Sequence, residues 1–245
     1  MEEINEEILQ PNIHKRNNCN DCYVLFFNDR EFDHIIVENI ICTLEDVKSS
    51  GSYNRVKIYL SSLGGKASQL FILSEYLNEY PLELIFVICN KIYSCGALLP
   101  LMVNKCKINY LPSASAMIHY VRLDIDSNVL YNYKPNTCES SSDLEKVKYL
   151  NNFLYDNYYS KLGLTKYELD VIKSGGDVYL NRERLEELFS LFKKRQYFEY
   201  VFEKEIYLID DEINSLKNKI KNLIKKREKY FEEYNNFFNK NIDKY

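Results

Sequence analysis

Lys57-Ile58-Tyr59-Leu60-Ser61-Ser62-Leu63-Gly64-Gly65 is an alternating apolar stretch that runs straight into paired glycines. Val56 to Leu60 reads as a strand, and the Gly-Gly pair as the turn that closes it. Downstream, Ala67 to Tyr80 carries Leu70, Leu73 and Leu77 at helical spacing, with Pro81 to end the helix. Leu84 to Cys89 is a second strand. Tyr93-Ser94-Cys95-Gly96 is a corner of small residues, and Gly96 to Val103 reads as a buried helix entered from it. Lys107 to Leu111 and Ala116 to His119 are short strands split by Pro112-Ser113. Upstream, Tyr23 to Phe27 is a strand, and Asp33 to Val47 shows a helical face through Ile36, Val37, Ile40, Ile41, Leu44 and Val47. This β–β–α-like rhythm predicts an α/β domain with helices packed on sheets.

Composition narrows the class. Hydrophobic residues make up 46% of 245, enough for a sizeable core and against global disorder. Lys and Arg total 32 against 36 Asp and Glu, so no basic excess points to nucleic acid. The longest apolar runs, Leu82 to Cys89 and Gly96 to Val103, fall short of a membrane span. The acidic start Met1-Glu2-Glu3-Ile4-Asn5-Glu6-Glu7 fits neither a secretory nor a mitochondrial presequence. Seven irregularly spaced cysteines then read as reduced thiols of a cytoplasmic protein. Cys19 and Cys22 form a CxxC with no second pair and only His14 nearby, so no metal is expected.

Residues 124–143 are polar and read as an exposed loop. Helices are expected from Leu144 to Leu162 and from Thr165 to Lys173. Gly175 to Asn181 is a turn into an extended piece, and Asn181 caps a helix that starts at Arg182 with Leu185, Leu188 and Phe189 inward. No Pro or Gly occurs after Gly176. From Phe202 through Ile206, Ile209, Ile213, Leu216, Ile220 and Leu223 to Tyr230, Tyr234 and Phe237, apolar residues alternate by four and three, with Arg227 as the interruption. Two readings stand: an amphipathic helix folded back on its own domain, or a coiled coil with a second copy or a partner. The expected organisation is an N-terminal arm over 1–22, a domain over 23–198 and a C-terminal helix over 199–245.

A serine hydroxyl needs a base to take its proton, and the oxyanion that follows needs N–H donors. Ser94, His119 and the Gly-Gly turn offer one candidate for each part. Read singly, Ser94 is a small residue at a crowded junction, His119 a core or edge histidine, and Asp177 a turn or cap residue. His14 and His34, the remaining histidines, lie in no comparable context.

Taken in order, these segments resemble the proteolytic subunit of the Clp protease, a serine peptidase of crotonase-like fold built from repeated β-β-α units. The resemblance covers roughly residues 23–190. Ser61-Ser62-Leu63-Gly64-Gly65 is similar to the family's Asn-Ser-Pro-Gly-Gly strand-turn, and Tyr93-Ser94-Cys95-Gly96-Ala97-Leu98-Leu99 to its nucleophile corner. Leu111-Pro112-Ser113 through Met117-Ile118-His119 is similar to its Leu-Pro-Asn-Ser…Met-Ile-His segment, and Asp177-Val178-Tyr179-Leu180-Asn181 to its Asp-x-aromatic-Leu-Ser segment. Spacings of 29 residues from Gly65 to Ser94 and 25 from Ser94 to His119 keep the family order. The resemblance implies a serine endopeptidase with Ser94 as nucleophile, His119 as general base and then acid, and Asp177 orienting the imidazole. Gly65 and Cys95 would supply the oxyanion-hole N–H groups, with the Cys95 thiol incidental. No cofactor is implied. The partners implied are a polypeptide substrate, like subunits in a ring, and a separate ATP-driven AAA+ unfoldase, since this sequence has no Walker-type phosphate loop.

The chain also departs from the family. Leu63 replaces the turn proline, and Tyr120-Val121-Arg122-Leu123 replaces the Gln-Pro and glycines after the histidine. Pro135 to Ser142 reads as an insertion, Phe189-Ser190-Leu191-Phe192 stands where Gly-Leu-Ile/Val-Asp is usual, and the long tail is extra. Such departures suit a specialised relative. The rival readings are a catalytically silent assembly subunit, a phage capsid-maturation protease of the same fold, and a crotonase-fold enzyme acting on an acyl-CoA thioester. The last leaves the spacing of Ser94, His119 and Asp177 unexplained.

Overall fold

Three strands of 11 residues, β1 (Cys22–Phe32), β2 (Arg55–Gly65) and β3 (Glu83–Tyr93), run parallel and are joined through α1 (His34–Ser50) and α2 (Ala67–Glu79). The computed structural model describes residues 21–122 and 138–242, with the side chains of 138–143 and 237–242 outside that set. The N-terminal arm up to residue 20, with Cys19, lies outside the described residues, as do residues 123–137 of the expected loop.

Local chemistry sets the helix ends. Asp33 caps α1 by accepting the Ile36 N–H at 2.8 Å, and Gly51 ends it in the left-handed conformation at φ 59°. Between them Val37, Ile40, Leu44 and Val47 are buried, the stripe that a period of 3.6 produces. Pro81 holds Tyr80 in extended backbone, so α2 stops at Glu79. β3 is central: Leu84 to Ile88 are all buried, as a strand covered on both faces requires. Its first half pairs with β4 (Cys106–Tyr110) and its end, Lys91 to Tyr93, with β5 (Ser115–Ile118). β6 (Val178–Leu180) lies antiparallel to β5 and completes a mixed, six-stranded sheet.

The expected β-β-α units take a different form. One long strand precedes each helix, and each is interrupted midway. β1 shifts register between Phe27 and Arg30, β2 shifts between Leu60 and Ser62, and β3 changes partner from β4 to β5. Such an irregularity re-aims a strand without a turn. The strand expected to stop at Leu60 therefore continues through Ser61 and Ser62 to Gly65.

α3 (Cys95–Met102) is buried along its whole length. At its C-terminal end the Lys193 ammonium donates to the carbonyls of Leu101 and Val103 at 3.3 and 2.6 Å. α4 (Cys138–Asn157) starts six residues before the expected Leu144, inside the segment read as loop. A 3₁₀ turn (Tyr159–Lys161) and α5 (Lys166–Lys173) follow, and a Thr165–Glu168 capping box opens α5. α6 (Arg182–Ile242) begins where Asn181 Oδ1 accepts the Arg184 N–H at 3.0 Å. Its first turns bury Leu185, Leu188, Phe189 and Phe192. The chain divides into two units at Lys194 and Arg195, four residues before the boundary expected at 198. Beyond Lys194 no described side chain is buried, which explains the earlier break. Among the described residues no helix is long and apolar enough to cross a membrane.

Candidate active site

Ser94 alone separates β3 from α3, at φ 53° and ψ −121°. Among the described residues the only other non-glycine with positive φ is Asp29. A side-chain-bearing residue held there costs about 1–3 kcal/mol, so its surroundings must enforce it. They do. The Ser94 N–H donates to the Met117 carbonyl at 2.8 Å, and the Ser94 carbonyl accepts the Ala97 and Leu98 N–H groups at 3.0 and 3.3 Å. Gly64, at φ 113°, presses on the serine: a Cβ there would stand 2.8 Å from Ser94 Cβ and 3.3 Å from Ser94 Oγ. Sharp strand-to-helix corners of this kind lift a nucleophilic hydroxyl clear of the sheet.

Hydroxyl groups fix the Gly-Gly turn. Ser62 Oγ donates to the Arg30 carbonyl at 2.7 Å and accepts the Gly64 N–H at 3.1 Å. Ser61 Oγ donates to Asp29 Oδ1 at 2.5 Å. Gly65 does not face the serine as Gly64 does. A Cβ on Gly65 would stand 2.3 Å from the Phe32 N, so its close approach is to β1. The glycine whose missing side chain makes room for Ser94 is therefore Gly64. Nor is the Cys95 thiol incidental. It donates to the Gly65 carbonyl at 3.2 Å and ties α3 to the turn. Burial pushes this thiol up to about 11, which keeps it neutral and unreactive. The Cys95 N–H opens α3, where helix geometry leaves it no intrahelical acceptor.

Strand register brings in the other two residues. Tyr93 pairs with Met117, and Met117 with Tyr179, making one row across β3, β5 and β6. Ile118 pairs with Val178. One step further, His119 leaves the end of β5 opposite Asp177 at the entry to β6. Ile118 and Val178 point into the core, so by alternation His119 and Asp177 lie on the other face, where both are half-buried. The Tyr93 and Tyr179 rings meet edge to face at 6.1 Å on this side. Ser94 after β3, His119 after β5 and Asp177 before β6 thus stand at the ends of three neighbouring strands, with no hydrogen bond joining the three side chains.

The hydrogen bonds there differ from the expected relay. Asp177 Oδ1 is paired with the Arg122 guanidinium, which also donates to the Gly175 carbonyl at 2.9 Å. His119 Nδ1 is buried without a hydrogen-bond partner. The carboxylate expected on the far side of the imidazole is engaged by an arginine three residues past the histidine. Burial, and then the Arg122 cation, pull the His119 pKa below its usual range, with the Tyr120 backbone and Asp177 opposing them. The imidazole is accordingly neutral at neutral pH, the form a general base requires.

Two further residues hold the histidine segment and carry no sequence signal. Buried Tyr159 donates its hydroxyl to the His119 carbonyl at 2.8 Å, and its ring stacks on Tyr120 at 6.1 Å. Asn151 on α4 takes both main-chain groups of Val121, accepting the N–H at 2.7 Å and donating to the carbonyl at 3.1 Å. Among the described residues no three His, Cys, Asp or Glu side chains are grouped closely enough to share a metal ion. Set against family models and against curated proteins, the chain matches none.

Proposed function

We propose that this chain is a serine endopeptidase of the Clp type, with Ser94, His119 and Asp177 as its catalytic set on a crotonase-like fold. The observation that carries the reading is Ser94 itself: a strained, side-chain-bearing residue at a strand-to-helix corner, at the end of the strand beside the one that ends in His119, with Asp177 on the next strand beyond. Ser94 Oγ attacks the scissile carbonyl while its proton passes to the free imidazole nitrogen of His119. The tetrahedral oxyanion is met by the Cys95 N–H and the adjoining turn, the proton moves to the leaving amine, and water then hydrolyses the acyl-serine by the same route. For Asp177 to accept a hydrogen bond from Nδ1–H and stabilise the imidazolium it must turn from Arg122 to the unpartnered ring nitrogen, so the ion pair acts as a latch on the resting site. Like subunits in a cytoplasmic ring, fed by an unfoldase, would complete this reading.

The same ion pair favours a second reading, a silent assembly subunit whose carboxylate is permanently withheld. Fluorophosphonate labelling of the full chain separates the two. The peptidase reading expects one label on Ser94, lost in Ser94→Ala and His119→Ala and faster in Arg122→Gln. No label in the folded wild type or in Arg122→Gln, with or without an unfoldase, overturns it.

A further inference from the structure

We infer that residues 205–226 of α6 pair antiparallel with the same segment of a second copy of this chain. This rests on the tail alone and is independent of the catalytic reading. Ile206, Ile209, Ile213, Leu216, Ile220 and Leu223 form one seam and are 42–64% exposed, a contiguous apolar stripe. The seam is symmetric about its middle. Run antiparallel, Ile206 meets Leu223 of the second copy, Ile209 meets Ile220, and Ile213 meets Leu216, so every layer is filled by two branched aliphatics.

The flanking charges choose the direction. Acidic residues border the first half of the seam (Glu205, Asp210, Glu212) and lysines the second (Lys217, Lys219, Lys226). Antiparallel pairing sets Glu205 beside Lys226 of the second copy, Glu212 beside Lys219, and Asp210 beside Lys217, each contact occurring twice. Parallel pairing would instead set Glu205 against Asp210 of the second copy, a like-charge contact, keep Glu212 with Lys217 as its one opposite-charge contact, and leave Lys219 and Lys226 facing Ile224 and Phe231. Arg227, the one polar interruption of the seam, then lies beyond the last aliphatic layer and faces the Phe202 ring of the second copy, where a guanidinium is welcome. Twelve half-exposed aliphatic side chains contribute about 100 Å² each. The roughly 1,200 Å² so covered reaches the range of specific interfaces, and the stems of the flanking residues add to it.

The test is sedimentation of the full chain over a range of concentrations, with Leu216→Asp defining the association step that the tail provides. Glu205→Lys turns two attractive contacts into repulsive ones and should weaken that step about tenfold. Adding Lys226→Glu should restore it. Because these side chains lie on the solvent face of a helix, the variants keep the fold. Stronger association of Glu205→Lys would mean a parallel pair, and an unchanged constant would mean the tail sits on something else. Either result overturns the inference, as does association that Leu216→Asp leaves intact.

Discussion

Replacing Ser94 by glycine should leave the protein more stable than replacing it by alanine, the reverse of the usual order. At an ordinary strand or helix position Gly is less stable than Ala by about 0.5–1 kcal/mol, through unfolded-state entropy. Here the backbone is fixed at φ 53°, ψ −121° by the Met117 carbonyl and by the first turn of α3. Any residue with a Cβ carries about 1–3 kcal/mol of strain at such a conformation, and glycine carries none. Glycine also gives up a half-buried methyl, a loss of roughly 0.5 kcal/mol. The balance favours Ser94→Gly over Ser94→Ala by about 1 kcal/mol. Both variants lose the hydroxyl, so its contacts cancel and the difference reports the backbone. Urea titration followed by tyrosine near-ultraviolet circular dichroism, with equal m-values required, measures it. If Ser94→Gly is the less stable by about 0.5 kcal/mol or more, the corner is relaxed and the argument from strain fails.

Alanine at Gly51 and at Gly64 puts a Cβ at positive φ in both cases, but only at Gly64 does it collide, at 2.8 Å from Ser94 Cβ. Gly51→Ala should cost about 1 kcal/mol and Gly64→Ala about 2–4 kcal/mol, with labelling of Ser94 slowed at least tenfold; equal costs in urea titration would contradict this packing. Arg122→Gln removes the cation that adds to burial in lowering the His119 pKa, so the histidine resonance in a proton NMR titration should move to higher pH, with stability changed by less than about 1 kcal/mol for so exposed a pair. An unmoved titration would place Arg122 elsewhere. Because His119 titrates lower folded than unfolded, its contribution is intact above the unfolded value of about 6.5 and is lost as pH falls below it. Urea titrations at pH 7.5 and 5 should therefore show a smaller acid loss in His119→Gln than in the wild type, and the acid limb of any cleavage profile should lie below 6.5; matching losses would show that the histidine is not desolvated.

The alternation of Val56 to Leu60, the helical stripes and the Pro81 stop were legible because each is a local pattern, and local patterns need only neighbours in the chain. That Ser94, His119 and Asp177 stand at the ends of neighbouring strands follows from the pairing of β3 with β5 and of β5 with β6, and their grouping was suggested only through the resemblance. Their hydrogen bonds were not legible. Whether Asp177 turns to His119 or to Arg122 depends on side-chain rotamers and on the path of Tyr120 to Arg122, which no periodicity encodes. The different neighbours of Gly64 and Gly65 have a similar origin. Both glycines take positive φ, and only the register of β1 against β2 decides which of them meets Phe32 and which meets the serine. Tyr159 stands among 22 tyrosines, and Asn151 beside another asparagine, so composition hides both.

The double grip of Asn151 on Val121 has a consequence for whatever visits this surface. An amide side chain imitates a neighbouring strand by giving and taking one bond each with a single residue. The stretch after His119 is thus already spoken for at that residue, and an extended guest cannot zip onto it there without first evicting the asparagine. On the proposed peptidase reading an extended substrate is met elsewhere, and Leu63, exposed beside the glycines, is open to it.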